Sequence, residues 1–231
     1  MGDQSDSEIT SVGNPLLESV SRHWPSLQIR FKTACSLFLN TAQPDDNITP
    51  RRHVVILLMS ILNILAELSG LCGDFIADRF RNGMWPQISQ LLDHFLSLQH
   101  SKASSAMFDS STDSTLLLSI LNCLNEIYSS KSCGKMLSNT TSIAGTIILP
   151  FLSNDSEIGE SAMNTIRSIL RIDCDCLWRA LFSCSGSVLP QRPILPHPNK
   201  SHLNAQSLDP LLAKRSKGLI AFIESLPEQS F

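Results

Sequence analysis

Internal repetition restricts the fold of this chain more than any other feature. Residues 61–68 read I-L-N-I-L-A-E-L and residues 120–127 read I-L-N-C-L-N-E-I, matching at five of eight positions with an offset of 59. Cys72-Gly73 recurs as Cys133-Gly134, 61 residues on. Trp24-Pro25-Ser26-Leu27 is echoed by Trp85-Pro86-Gln87-Ile88, again 61 on, and more loosely by Leu149-Pro150-Phe151-Leu152, a further 64 on. Repeating helical units build a stack, because one unit cannot bury its apolar face alone and its neighbours supply the missing core. The period exceeds the roughly 34 to 47 residues of the common helical repeats. It has room for a long helix, a short helix at Cys72 or Cys133, and a third helix entered through proline. The predicted fold class is therefore all-α: a HEAT-like helical-repeat solenoid, a right-handed α-α superhelix, with a C-terminal helix after a Pro-rich loop.

Local signals agree with helices. Asn14-Pro15, Thr49-Pro50 and Asp209-Pro210 each pair a capping residue with a proline at the first helical position, where its missing N–H is not needed. Asp113-Ser114 precedes Leu117, Ile120, Leu121, Leu124 and Ile127 at helical spacing. Asn154 with Glu157 resembles a capping pair, and Asp173 is placed to cap a short helix carrying Leu177, Trp178 and Leu181. No sustained alternation marks a strand. The segment Val54–Leu68 is apolar almost all round, as for a helix sandwiched between neighbours. Asn63 and Asn122 inside the repeated motif read as buried, satisfied amides. Glu67 and Glu126 read as bonding an adjacent turn or facing a groove. Trp24 and Trp85 are expected at the joints between repeats.

These signals divide the chain into an acidic, disordered tail (1–13), a solenoid (14–182) interrupted by a Ser-rich loop (100–113), a Pro-rich connector (183–206) and a C-terminal helix and tail (207–231). Pro190, Pro193, Pro196 and Pro198 forbid a regular helix in the connector, and Pro190-x-x-Pro193 also fits an SH3-type ligand. Ser5-Asp6-Ser7-Glu8 reads as a solubilising stretch, with a kinase site as the other reading.

Charged residues make up only 17% of the 231, below the roughly 25% usual for soluble domains, which points to an uncharged surface that a partner can cover. A net charge of −3 gives no basic field for nucleic acid. Seven scattered cysteines behind a polar, acidic start read as reduced thiols of a cytoplasmic or nuclear protein. The apolar run Val54–Leu65 is shorter than the roughly 20 residues of a membrane span.

Catalytic motifs are absent: there is no H-E-x-x-H, no G-x-G-x-x-G, no phosphate-binding loop and no G-x-S-x-G elbow. Cys174 and Cys176, with Cys184 nearby, have C-x-C spacing rather than the C-x(2–4)-C of a zinc site and lack paired histidines. His23, His53, His94, His100, His197 and His202 are dispersed. The expectation is no catalytic, cofactor or metal residue, with the partner-binding residues unassigned. Arg51-Arg52-His53 and Lys214-Arg215-Ser216-Lys217 read as solvated basic helix faces, the second also as a contact for an acidic partner or an import signal.

Several of these segments resemble a known family. His23-Trp24-Pro25-Ser26-Leu27, Cys72-Gly73-Asp74-Phe75 with Arg79-Phe80 and Trp85-Pro86, Ile172-Asp173 through Trp178, and the loop around Pro196-His197-Pro198 look like the C-terminal region of the TELO-two-interacting protein one (Tti-one) family. The resemblance spans roughly residues 14 to 225, and the Ser-rich loop and the Cys174/Cys176 pair depart from it. It implies a HEAT-type scaffold of the TTT complex, acting with Tel-two and Tti-two. That complex stabilises newly made phosphatidylinositol-3-kinase-related kinases through the ninety-kilodalton heat-shock chaperone machinery, and so touches TOR growth signalling and the DNA damage response. The family brings no catalytic residues with it. Two other readings stand beside this one. The first is a helical-repeat adaptor of an unrelated pathway, such as transport or cytoskeletal assembly. The second is an enzyme or regulatory subunit with a pocket between repeats.

Overall fold

A computed structural model describes residues 15–40, 48–101, 111–153 and 157–176, together with 217, 218 and 220. The helices are α1 (Pro15–Asn40), α2 (Ile48–Leu71), α3 (Gly73–Gly83), α4 (Trp85–Ser101), α5 (Ser111–Ser129), α6 (Lys131–Met136), α7 (Thr141–Ile148) and α8 (Glu157–Ile172), with 3-10 turns at Ser138–Thr140 and Leu149–Ser153. No strand occurs among the described residues. The fold is the all-α helical repeat expected from the sequence.

The long helices α2, α5 and α8 lie side by side in one layer. The second layer contains α1, α4 and α7, while α3 stacks on α6. Hydrogen bonds fix α2 and α5 as parallel. The Arg51 guanidinium donates to Asp113 Oδ1 at 3.0 Å near their starts, and the Ser130 hydroxyl donates to the Ser69 carbonyl at 3.0 Å at their ends. The Cys133 thiol donates to the Gly73 carbonyl at 2.9 Å across 60 residues. The recurring Cys-Gly pair therefore sits directly on its own earlier copy. One unit is α2-α3-α4 and the next is α5-α6-α7; α8 opens a third. Helix α1 packs on α2 and α4 much as α4 packs on α5 and α7.

The period is less uniform than the sequence implies. In the second unit α6 and α7 have 6 and 8 residues, where α3 and α4 have 11 and 17. Nor do the three proline markers share a role. Trp85-Pro86 opens α4, Leu149-Pro150 forms a 3-10 turn after α7, and Pro25 lies inside α1. Pro25 is exposed there, so the backbone bond it forfeits falls on the solvent side.

Elsewhere the punctuation falls within a turn of the element starts. Helix α1 opens on Pro15, but α2 starts at Ile48, so Thr49 lies inside it rather than capping it and Pro50 is its third residue; Asp113 lies in the first turn of α5. Helix α8 carries Glu157 and Glu160 in its first turn and Arg171 in its last, each matched to the helix dipole. Helix α4 runs through Ser101 and α5 starts at Ser111, so only 102–110 of the Ser-rich stretch falls outside the described helices. The expected tail 1–13 and connector 183–206 lie outside the described residues, as do Asn14, Asn154, Leu177, Trp178, Leu181 and Asp209-Pro210. Of the expected C-terminal helix, Lys217, Gly218 and Ile220 are described, and they are helical. Gly218 is buried so closely against the Leu149 carbonyl that a Cβ would collide with it, which places Gly218 against the 3-10 turn that follows α7.

One apolar core runs through the units, with Phe31, Phe38, Phe80, Phe95, Phe151, Leu58, Leu62 and Leu65 fully buried. Trp24 and Trp85 belong to it, Trp85 packing against Phe80 with ring centroids 6.2 Å apart. The Trp85–Phe80 contact joins α3 and α4 within one unit, not two successive units.

Arg51 corrects one expectation. It is not on a solvated basic face; only 27% of its side chain is exposed. It pairs with Asp113, 62 residues away, and its guanidinium lies 4.8 Å from the Phe38 ring centroid. His94 meets the same Phe38 edge-on at 5.9 Å. Burial first, and the nearby Arg51 charge second, hold the His94 pKa below its ordinary 6.5, while Asp113 opposes them. As pH falls through 6.5, the unfolded chain takes up a proton that folded His94 still refuses, so this group lowers stability on the acid side. We expect His94→Gln to flatten the loss of stability between neutral and mildly acidic pH. Urea unfolding of both proteins across that range checks it; an equally steep loss in the variant would assign the effect to other groups.

Candidate protein-binding face

The long-helix layer is covered on one side by α3, α4, α6 and α7, and its other side is open. On α2 the residues Ile56, Leu57, Ser60, Asn63, Ile64 and Glu67 are exposed. At 100° per residue these positions, with Leu71, form one continuous face. On α5 that face is Thr115, Asn122, Glu126 and Ser129; on α8 it is Glu157, Glu160, Asn164, Arg167 and Arg171. Two expectations fall here. Helix α2 is not sandwiched all round, and Asn63 and Asn122 are exposed rather than buried amides. The reason is shared: each long helix buries only the flanks turned to its neighbours and to the second layer. The motif I-L-N-x-L-x-E therefore holds its apolar residues inward and its Asn and Glu outward. Glu67 and Glu126 are exposed too.

The edge of α2 away from α5 is apolar and open. Leu57, Ile64 and Leu71 recur at seven-residue spacing and are 41%, 46% and 67% exposed. The repeat explains them. At the offset of 59, Leu57, Ile61, Ile64 and Leu68 correspond to Leu116, Ile120, Cys123 and Ile127 of α5, all buried. Within the layer α5 has a helix on each side, whereas α2 has α5 on one side only, its contact with α1 coming from the second layer. Without that neighbour Leu57 and Ile64 are exposed on α2, while Ile61 stays buried and Leu68 half-buried. By length and composition Arg51–Leu71 would suffice to cross a membrane, which the shorter run Val54–Leu65 does not reveal, yet Val55, Leu58, Leu62 and Leu65 are core.

The joint between α5 and α8 is polar instead. Ser161 donates to Asn122 Oδ1 at 2.6 Å, Ser168 donates to Asn125 Oδ1 at 2.8 Å, and the Thr165 hydroxyl donates to the Leu121 carbonyl at 3.0 Å. Ser129 and Ser168 hydroxyls are 2.8 Å apart. This ladder places Asn164 of α8 level with Asn122 of α5. Sequence reasoning missed Asn164, because the shortened second unit takes it out of the 59-to-61 register.

The buried cysteines of the core are poor nucleophiles. Burial raises the thiol pKa of Cys35 to about 12 and that of Cys133 to about 11, which keeps both protonated and unreactive. Burial also raises Cys123, further than either. Asp173 is occupied in a turn, its Oδ2 accepting the Thr141 hydroxyl at 2.6 Å and its Oδ1 the Asp175 N–H at 3.2 Å. Cys174 is exposed and Cys176 buried, so the two thiols do not converge. Among the described residues no three His, Cys, Asp or Glu side chains gather as a metal site would require. Cys184 and Lys214-Arg215-Ser216 lie outside the described residues.

No curated protein and no solved structure matches the chain. One protein-family model does: the TTI1 C-terminal TPR domain, over residues 9–178. The match covers both repeated units, the long-helix layer and its open face. The chain therefore belongs to the family of the TTI1 C-terminal TPR domain.

Proposed function

We propose that the chain is a non-catalytic scaffold that supports chaperone-dependent stability and assembly of phosphatidylinositol-3-kinase-related kinases, with Tel-two and Tti-two as partners, in the cytoplasm and nucleus. The observation that carries this reading is the TTI1 family match over a helical stack whose long-helix side lies open. A stack of this kind offers an extended face rather than an enclosed pocket, and extended faces serve protein partners. The apolar edge Leu57-Ile64-Leu71 adds a surface that a packed helix would cover.

The test is affinity purification of the tagged chain from its own cells, with mass spectrometry of the eluate. We expect Tel-two, Tti-two or kinases of that class, and we expect the double variant Leu57→Glu/Ile64→Glu to recover less of them while remaining soluble. Recovery of none of these proteins by a soluble, folded wild-type chain would overturn the assignment and leave the fold untouched.

A further inference from the structure

The two ends of the long-helix layer differ. At the α2 end, the flank turned away from α5 is bare, with Leu57, Ile64 and Leu71 exposed. At the α8 end, the flank turned away from α5 is shielded. Ser161, Thr165 and Ser168 mark the α5 side of α8. Met163 and Leu170 follow Ser161 and Ser168 by two residues, about 200° further round the helix, and so mark the far side. Both are half-buried and packed on the core. The 3-10 turn Leu149–Ser153 packs against α8, and Gly218 packs against that turn. A Cβ on Gly218 would collide with the Leu149 carbonyl oxygen and stand 3.4 Å from Leu152 Cβ.

From these contacts we propose that the turn Leu149–Ser153, with the adjoining far flank of α8, is the dock of the chain's own C-terminal segment, residues 208–226, which lies there as an amphipathic helix with Gly218 at the point of closest approach. Gly218 is buried while its helical neighbours Lys217 and Ile220 are exposed, so one side of this stretch meets the protein and the other meets water. The surrounding sequence carries the same division. Leu211, Phe222 and Leu226 stand seven residues before, four after and eight after Gly218, on its side of a helix, and Leu219 adjoins them. Lys217, Ile220 and Glu224 fall on the opposite side. Arg215 is the charged residue within the apolar sector, and its long stem lets the guanidinium reach water. Glycine is disfavoured inside a helix; here it lets one backbone approach another where any side chain would intrude.

The length of the connection permits the chain's own segment as the occupant. The turn Leu149–Ser153 precedes the start of α8 and Cys176 follows its end. Helix α8 has 16 residues, a span of about 24 Å. Residues 177–216 join Cys176 to Lys217, and at about 3.3 Å per extended residue they cover that span with a small part of their length. A repeat stack needs a polar outer face on its terminal unit. The docked segment supplies one at the α8 end and leaves the α2 flank as the apolar edge still open. This arrangement does not depend on which complex the scaffold serves.

Hydrogen exchange of the full chain, read by mass spectrometry of its peptides, tests this. In the isolated wild type we expect protected amides in 208–226. Gly218→Ala separates a docked helix from a free one, because alanine strengthens a free helix and obstructs a docked one. We expect it to speed exchange about tenfold or more in 208–226, to speed it also in the turn 149–153, and to leave α2 and α5 unchanged. Ile220→Gln, on the exposed side, is the control and is expected to change none of these. Protection in 208–226 should also persist through about a hundredfold dilution, since a segment of the same chain is not lost by mass action. Three results would overturn the proposal. Exchange in wild-type 208–226 as fast as in an unfolded peptide would leave the segment undocked and free for a partner. Unchanged or slower exchange in Gly218→Ala would mean a helix that stands free of the turn. Protection that vanishes on dilution would assign the dock to the C-terminal segment of a second copy.

Discussion

Alanine in place of Gly134 is expected to destabilise the protein by about 1–3 kcal/mol, the usual cost of overfilling a packed site. A Cβ at this position would stand 2.8 Å from Ile172 Cδ1 and 2.9 Å from the Tyr128 carbonyl oxygen. The isoleucine can swing aside, but the carbonyl cannot. Tyr128 is buried, and its hydroxyl lies 2.9 Å from the Thr140 hydroxyl, so the end of α5 is held from both sides. Alanine gains about 1 kcal/mol over glycine in an exposed helix interior. In α6, only 6 residues long and closed by Leu137, that gain is smaller and the collision decides the sign. Gly70, on α2, is the control. It is exposed and a Cβ there meets nothing within 4 Å, so Gly70→Ala is expected to stabilise by about 0.5–1 kcal/mol. Thermal unfolding followed by circular dichroism should show melting temperatures moving in opposite directions. A Gly134→Ala variant that melts at or above the wild-type temperature would mean that the close approach of α6 to Tyr128 is not part of the folded state.

The same Cys-Gly marker shows what the sequence could and could not reveal. Its recurrence at an offset of 61 announces a stack, and Cys133 in fact bonds to Gly73, so repetition in the sequence translates directly into contact between units. Helix starts at Pro15 and in the α5 segment were legible because capping and proline chemistry are local. The outward turn of Asn63 and Asn122 was not legible. An asparagine between leucines looks buried until the flanks that neighbours cover are known, and coverage is a property of the stack rather than of one helix. Asn164 was hidden because a fixed period cannot follow a unit whose helices are shortened. Arg51 looked like part of a basic cluster because its partner, Asp113, and its stacking ring, Phe38, come from other helices.

The second large effect is expected at Phe38, where α1 is fastened to the stack. Phe38 is fully buried, with its ring centroid 5.9 Å from Phe95 and from His94 and the Arg51 guanidinium 4.8 Å from its face. Truncation to alanine should cost about 3–5 kcal/mol, mostly as a cavity the surrounding helices cannot close. It also removes the ring beneath Arg51 and admits water to an ion pair whose members are only 27% and 13% exposed. Where the loss appears is the sharper prediction. In a stack, each unit is stabilised by its neighbours, and α1 packs chiefly on α2 and α4. A weakened α1 is therefore expected to open by itself before the rest unfolds. Hydrogen exchange should show amide protection falling in α1 and at the start of α2, with α5 and α8 retaining theirs. Equal loss of protection in all four helices would show that the joints at Arg51–Asp113 and Cys133–Gly73 bind the units into one cooperative block, with no separately opening end.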